Sequence, residues 1–435
     1  MTMCNFTMKE LFVIDNIFLI NMIISRVVKS KLFSNIFNQF LLYGFSNILP
    51  FLLMPYLLAT IGVAKYGLVN FALAFSFYFQ VINEWGFDLS NVRHVVKNRD
   101  NSKELSKIFW SIIGCKGLLL IMSLLIYTLI IFLIPKFYGN EWLYFWAFIR
   151  LFGIIITPFW LFRSMEDMKY VTRISLLCKC LCILPIFFIV KLPSDYNWVM
   201  CFFSLEALSS GIVSMLIAIK KYRLQFYRVR PLDIRFYFKD SLPFFTSVFL
   251  TRIYQTSNTF VLGLVCGDSV TGIYSASEKL HNAYASLVAP MINHIFYPYF
   301  SRVKNFVRIN KMVLTIIISN LIILILVYIV SPYLIPLFIK VEVNNIINYF
   351  NIFLLVLVFS VSNEILGFPY LGILGRIKEV KDSTWYASLF YLSLLLLFLF
   401  FGVVNVLNLI LLLLGTNIVS LLFRLWFIKK SLSRT

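Results

Sequence analysis

Eleven ionisable side chains sit inside long apolar stretches of this chain: Lys116, Arg150, Lys179, Arg252, Lys279 and Arg424, with Glu84, Asp88, Glu206, Glu278 and Glu364. A charge at bilayer depth costs about 2.5–3.5 kcal/mol on insertion scales, so it is kept where it faces a partner or a water-filled cavity. Arg150, Arg252 and Lys279 lie too deep in their stretches to reach a surface. Three cations around one cavity attract an anion. Arginine offers a planar fork that grips phosphate at two points, and lysine a compact charge. The alternative is that each pairs with Glu206, Glu278 or another carboxylate and simply ties helices together. Glu84 and Asp88 are four residues apart and share one helix face. Such a pair can hold a proton or a sodium ion, since two nearby carboxylates raise one another's proton affinity. It can also form a gate with Arg93, or be a solvated helix end. Lys116, Lys179 and Arg424 are expected to snorkel to a surface. Glu364 caps a span or pairs with a loop, or else serves function. His94, His281 and His294 lack ligand spacing, and His281 in the eighth span could titrate near neutral pH.

The elements that position these residues follow from composition. The chain has 435 residues, 60% hydrophobic and 13% charged, with 46 Phe and 23 Tyr. Its mean hydropathy of +0.87 lies outside the soluble range. The reading is an all-α polytopic membrane protein. Hydropathy predicts twelve transmembrane helices, near 37–61, 66–88, 108–134, 142–162, 174–190, 197–219, 241–266, 270–299, 312–338, 346–369, 384–402 and 404–427. Of the 39 Lys and Arg, 29 fall in the two ends and in the loops on one side, and only Lys65, Lys136, Lys191 and Lys340 in the loops on the other. By the positive-inside rule both termini are cytoplasmic. The net charge of +20 is therefore read as topology, not as a nucleic-acid footprint.

The basic connection 220–240 divides the chain into two six-helix bundles, 37–219 and 241–428, with a cytoplasmic tail at 429–435. A weak repeat supports the division. Gly62-Val-Ala-Lys-Tyr-Gly67 and Gly267-Asp-Ser-Val-Thr-Gly272 both place Gly-x4-Gly in a turn that opens the next span. A six-plus-six duplication is a known transporter plan. The charged hairpin Phe238–Phe300 then lines a path for a charged cargo. Residues 1–36 form a cytoplasmic or interfacial extension, with translation starting at Met1 or at Met22.

Several chemistries find no support. The seven cysteines make no metal or disulfide framework, and Cys178, Cys180 and Cys182 do not share one helix face. There is no phosphate loop, nucleotide fold or catalytic triad. The outer loops are too short to carry an active site. Neither an enzyme nor a cofactor or metal requirement is expected.

Asn47-Ile-Leu-Pro50, Tyr56-Leu, Gly62, Tyr66-Gly67 and Gly86-Phe-Asp88-Leu-Ser-Asn-Val-Arg93 resemble the opening of the polysaccharide-type flippases. These belong to the multidrug/oligosaccharidyl-lipid/polysaccharide exporter superfamily. Pro290, Pro298-Tyr-Phe-Ser-Arg302 and the loop from Gly372 to Lys378 match as well. The resemblance covers residues 37–428 and is nearest to the O-antigen flippases (Wzx type). It implies two bundles rocking between inward-open and outward-open states, coupled to an ion. It implies a cargo of undecaprenyl-pyrophosphate-linked oligosaccharide, crossing from the inner to the outer leaflet of a bacterial cytoplasmic membrane. In that reading Arg252, Lys279 and Arg150 bind substrate, and Glu84, Asp88, Arg93, Glu278 and Glu206 serve coupling or gating. Membrane lipids, a polysaccharide polymerase and a chain-length regulator are the implied partners. The first span carries no arginine, unlike the peptidoglycan-precursor flippases, which argues against that cargo. A multidrug cation antiporter and a membrane-embedded polymerase are the competing readings.

Overall fold

The computed structural model describes residues 51–302 and 305–432. All regular structure among them is helical. In chain order the helices are α1 (Phe51–Thr60), α2 (Gly62–Glu84), α3 (Phe87–Lys97), α4 (Ser102–Leu133), α5 (Glu141–Ile156), α6 (Phe159–Ser164), α7 (Met168–Ile183), α8 (Ile186–Ile189) and α9 (Tyr196–Lys221). After the basic connection come α10 (Pro231–Val265), α11 (Asp268–Met291), α12 (Tyr297–Arg302), α13 (Phe306–Phe338), α14 (Val343–Ile365), α15 (Ile377–Phe400) and α16 (Val406–Leu432).

Local chemistry sets several boundaries. The Asn101 side chain accepts from the backbone N–H groups of Lys103 and Glu104 at 3.2 Å and starts α4. Pro231 opens α10, where its missing N–H costs nothing. Between α14 and α15 the backbone breaks at Gly367, beside Pro369. Arg424 of α16 reaches into that break: its guanidinium donates to Ser383 Oγ at 3.2 Å, to Thr384 Oγ1 at 3.2 Å and to the Asn363 carbonyl. A Cβ on Gly367 would lie 2.9 Å from that guanidinium. Arg424 is thus buried against a backbone break and does not snorkel.

Among the described residues eight segments are long and apolar enough to cross a membrane: Ser102–Leu133, Glu141–Ser164, Met168–Ile189, Pro193–Lys221, Phe306–Phe338, Val343–Leu371, Ile377–Phe400 and Val406–Lys430. This is a multi-pass membrane protein. The eight match the third to sixth and the ninth to twelfth expected spans. The first expected span lies mostly outside the described residues, as do the extension 1–36, the choice of start and the end of the tail. The second and eighth fall on α2 and α11, which have 23 and 24 residues. Both are long enough but less apolar. The seventh falls within α10.

These three helices are less apolar because they bury polar side chains against one another. Asn70, Ser76 and Asn83 of α2, Ser257, Asn258 and Thr259 of α10, and Thr271, Ser275 and Ser277 of α11 are all buried. Around them the apolar packing continues. Phe260 of α10 stacks on Phe71 of α2 with centroids 5.4 Å apart, and on Phe75 at 6.0 Å. The outlying helices do the reverse and expose large apolar groups such as Phe132, Phe188, Leu326 and Phe400. An apolar outside around a partly polar inside is what a bilayer selects.

Candidate functional site

Gly62, Asp268, Glu141 and Tyr196 begin α2, α11, α5 and α9 at the same end of the molecule. Tyr196 Oη donates to Asn140 Oδ1 at 2.8 Å there, and Lys136 Nζ lies 2.7 Å from Asp268 Oδ1. From that end the helix rise of about 1.5 Å per residue gives depth. Asn70 is eight residues in, Arg150 nine, Glu206 and Glu278 ten and Lys279 eleven. They occupy one tier, about 12–17 Å down. Glu84, at the far end of α2, is 22 residues in, or about 33 Å.

The upper tier joins the two halves of the chain. Lys279 Nζ on α11 donates to Asn70 Oδ1 on α2 at 2.8 Å and lies 4.9 Å from the Tyr66 ring centre. Asn70 is fixed by donating from Nδ2 to the Tyr66 carbonyl at 2.7 Å. The buried Tyr66 hydroxyl has no hydrogen-bond partner among the described residues. Arg150 of α5 acts electrostatically on Lys279 and on Glu206. Lys179 of α7 also acts on Glu206. Among the described residues no carboxylate oxygen lies within 4.0 Å of Arg150, Arg252 or Lys279.

Glu278 turns the other way. It accepts from Thr259 Oγ1 at 3.1 Å and from Tyr274 Oη at 3.3 Å. Behind it Asn258 donates to Tyr274 Oη at 3.1 Å and to the Leu409 carbonyl at 3.2 Å, and accepts from Tyr391 Oη. Four side chains from α10, α11 and α15 thus form a buried polar chain ending on a carboxylate.

The lower tier is a cavity of about 130 Å³ lined by Glu84, Asp88, Arg163, Arg252, Phe245 and Phe249, among others. Arg252 acts on the charge of Glu84, as do Asp88 and Lys116. Gln80 Nε2 donates to Glu84 Oε1 at 2.8 Å. Lys116, buried at 4% exposure, reaches Asp88 at 3.4 Å. It does not snorkel: its ammonium stays inside and pairs with Asp88.

The Gly86–Arg93 motif is explained residue by residue. Gly86 has φ +70°, and a Cβ there would lie 2.6 Å from the Phe245 nitrogen of α10. Phe87 is buried in the core and Asp88 pairs with Lys116. Ser90 and Ser241 share a hydrogen bond of 2.6 Å. Arg93 pairs with Asp240, which also takes His94 at 3.0 Å. Arg93 is therefore tied to α10 and not to Glu84 or Asp88.

Arg150 and Lys279 lie together in the upper tier, whereas the Arg252 side chain lines the lower cavity with Glu84 and Asp88, so the three expected substrate ligands fall in two places. The gate of Glu84 and Asp88 with Arg93 is replaced by the Arg93–Asp240 pair. The structure also adds residues that hydropathy passed over. Asn70 and Tyr66 are polar or aromatic neighbours of Lys279, and Arg163 lies at a span end. Only their placement reveals them. Beyond the cavity Asp167 takes Lys221 at 2.6 Å and Tyr222 Oη at 3.1 Å. Burial, and then the Asp167 charge, push the Tyr222 phenol up.

Residues 32–304 match the family described as polysaccharide biosynthesis protein. A candidate O-antigen transporter of Escherichia coli (strain K12) is 29% identical over 291 residues, 65% of this chain and 69% of that protein. One from Shigella dysenteriae is 26% identical over 284 residues, 64% of this chain and 69% of that protein. An inward-facing multidrug resistance MATE family transporter of the MOP superfamily superposes with a TM-score of 0.58 at 15% identity, over 88% of this chain and 94% of that one. An outward-facing MATE family transporter gives 0.50 at 14% identity, over 94% and 98%. The likeness establishes that the chain has the fold of these transporters. With its family match spanning well over half its length, the chain belongs to the polysaccharide biosynthesis protein family.

Proposed function

We propose that this protein is a flippase. It carries undecaprenyl-pyrophosphate-linked O-antigen or related repeat units from the inner to the outer leaflet of a bacterial cytoplasmic membrane, by ion-coupled alternating access. The observation that carries the reading is the set of half-buried cations within the spans that have no carboxylate partner among the described residues. Arg150 and Lys279 lie in one tier at mid-depth, one from each half and close enough to act on each other's charge, and Arg252 lines a cavity below. A chain keeps such charges at membrane depth for an anion, and pyrophosphate is one. The printed names of the Escherichia coli and Shigella dysenteriae relatives support the cargo class.

In this reading the protein has twelve spans in two bundles, 37–219 and 241–428, with both termini in the cytoplasm. Repeat units enter by the lower cavity, and the sugars and pyrophosphate ride between the bundles while the lipid tail stays in the bilayer. Glu278, Glu206, Glu84 and Asp88 are the candidate sites for the coupling ion. Each charge moved across the field is worth about 2.3 kcal/mol per 100 mV, enough to bias the cycle. The polymerase and chain-length regulator act next on the exported units. A cation antiporter would favour carboxylates clustered without cations, whereas here Arg and Lys stand among them.

Deletion of the gene, followed by a gel of surface polysaccharide and extraction of membrane lipids, tests the reading. Loss of long chains, with lipid-linked repeat units held on the cytoplasmic face, supports it. Units accumulating on the outer face point to a polymerase. Unchanged polysaccharide with heightened sensitivity to cationic drugs points to an antiporter.

A further inference from the structure

We infer that the two Gly-x4-Gly turns form one reciprocal closure between the halves of the chain, latched by Lys136 and Asp268, which seals the outer end of the transport path. The word outer rests on the flippase reading; the closure itself does not.

Each turn is the other's contact surface. A Cβ on Gly67 would lie 1.8 Å from the Asp268 carbonyl oxygen and 2.6 Å from the Gly272 nitrogen. A Cβ on Gly272 would lie 2.2 Å from the Val63 carbonyl oxygen. Backbone therefore meets backbone, at a distance that only glycine on both sides permits. One turn below, a Cβ on Gly263 would lie 2.2 Å from the Phe71 ring. That ring stacks on Phe260 with an interplanar angle of 2°. Over the top, Lys136 from the α4–α5 connection pairs with Asp268 at 2.7 Å, both side chains partly exposed. Lys279–Asn70 lies beneath this lid.

The closure is built to part. The glycine faces themselves carry no side chains to unlock, which leaves the flat Phe71–Phe260 stack to slide apart, and a partly exposed ion pair is weak and screened by salt. At the other end α3 and Trp85, just before it, hold α10 through Trp85–Phe238, Ser90–Ser241 and Arg93–Asp240. The named contacts of α2 with α11 all lie in the Gly62 half. Parting at the glycines with the lower contacts kept would open the upper tier, freeing Lys279 from Asn70.

The test uses the full-length chain in cells, with its seven cysteines replaced. In Lys136→Cys/Asp268→Cys, a short reducible bis-methanethiosulfonate bridge should cut surface polysaccharide at least about tenfold and reductant should restore it; single variants should not respond. Independently, Asn70→Cys should be labelled by a membrane-impermeant maleimide added outside. Labelling should rise several-fold in Gly272→Leu and less in Asp268→Asn, at equal protein in the membrane. Unchanged labelling in both variants, or undiminished transport by the bridged protein, overturns the inference. Labelling needs no cargo, so the closure and the flippase reading fail separately.

Discussion

Glu278 and Lys279 are neighbours in sequence and serve opposite halves of the chain. Successive side chains on a helix point about 100° apart. Lys279 therefore reaches α2 and donates to Asn70, while Glu278 stays with Thr259 and Tyr274 in its own half. The adjacent opposite charges do not cancel one another: one faces the seam between halves, the other the buried polar chain behind it.

Lys279→Met should abolish export while the protein still inserts, because it removes the seam's cation. Asn70→Leu removes only the neutral partner. A hydrogen bond to a charged group contributes about 1.5–3 kcal/mol. Export by Asn70→Leu should therefore shift by about tenfold or more, each 1.4 kcal/mol being a factor of ten. Surface polysaccharide at matched expression is the readout. Wild-type export by Lys279→Met would remove this lysine from the anion path.

The polar chain behind Glu278 makes a stability prediction. Tyr391→Phe leaves Asn258 Oδ1 buried without its donor, a loss of about 1–3 kcal/mol. Thr259→Val removes one donor from Glu278 at similar size and shape. Both should lower the melting temperature of the detergent-solubilised protein. An unchanged melting curve for Tyr391→Phe would show that water or a shifted side chain takes over that bond.

How legible was this in the sequence? Hydropathy located the outlying helices well, since lipid imposes apolarity on every outward position. It was weakest for α2 and α11, where Asn70, Ser275 and Ser277 face other helices and lower the apolar signal. Charges inside spans were visible as anomalies, but their grouping was not. Placing Arg252 with Lys279 assumed that residues at similar distances from one turn share a site. The Arg252 side chain faces Glu84 and the lower cavity instead. Lys116 and Arg424 were expected to snorkel because both lie near span ends. Buried partners, Asp88 and the broken backbone at Gly367, hold them inside, and neither is adjacent in sequence. The glycine repeat was legible as a duplication, whereas the packing of one copy on the other is a fact of three dimensions.

Lys116 and Asp88 form an ion pair within the lower tier, 3.4 Å apart, with Lys116 buried and Asp88 34% exposed in its side chain. Lys116→Met strands a carboxylate beside Glu84, and Asp88→Asn strands a buried cation. Removing one partner of a fully buried pair costs about 3–5 kcal/mol. The partial exposure of Asp88 should reduce this. The double variant should be more stable than the sum of the single losses implies, by about 1 kcal/mol or more. Additive losses in a double-mutant cycle would mean that the pair carries no coupling.

The α5–α9 contact gives a prediction that depends on shape alone. A Cβ on Gly153 would lie 2.4 Å from the Ala207 carbonyl carbon, and one on Gly211 would lie 2.4 Å from the Gly153 carbonyl oxygen. Here backbone again meets backbone, and in lipid close approach of this kind is a main source of helix association. Neither position is a turn, and neither carries a positive φ. The glycines are thus required by the neighbouring helix and not by their own backbone. Gly153→Ala should already push α5 off α9, and Gly153→Leu should abolish accumulation of folded protein in the membrane. The two helices carry Arg150 and Glu206, so Gly153→Ala should also cost export out of proportion to its loss of protein. Gly117 is the control. It lies within α4 with nothing within 4 Å of its would-be Cβ. Gly117→Ala should be neutral or slightly stabilising, within about 1 kcal/mol. Equal tolerance of alanine at 153 and 117, read as membrane yield and melting temperature, would show that α5 and α9 are not packed this closely.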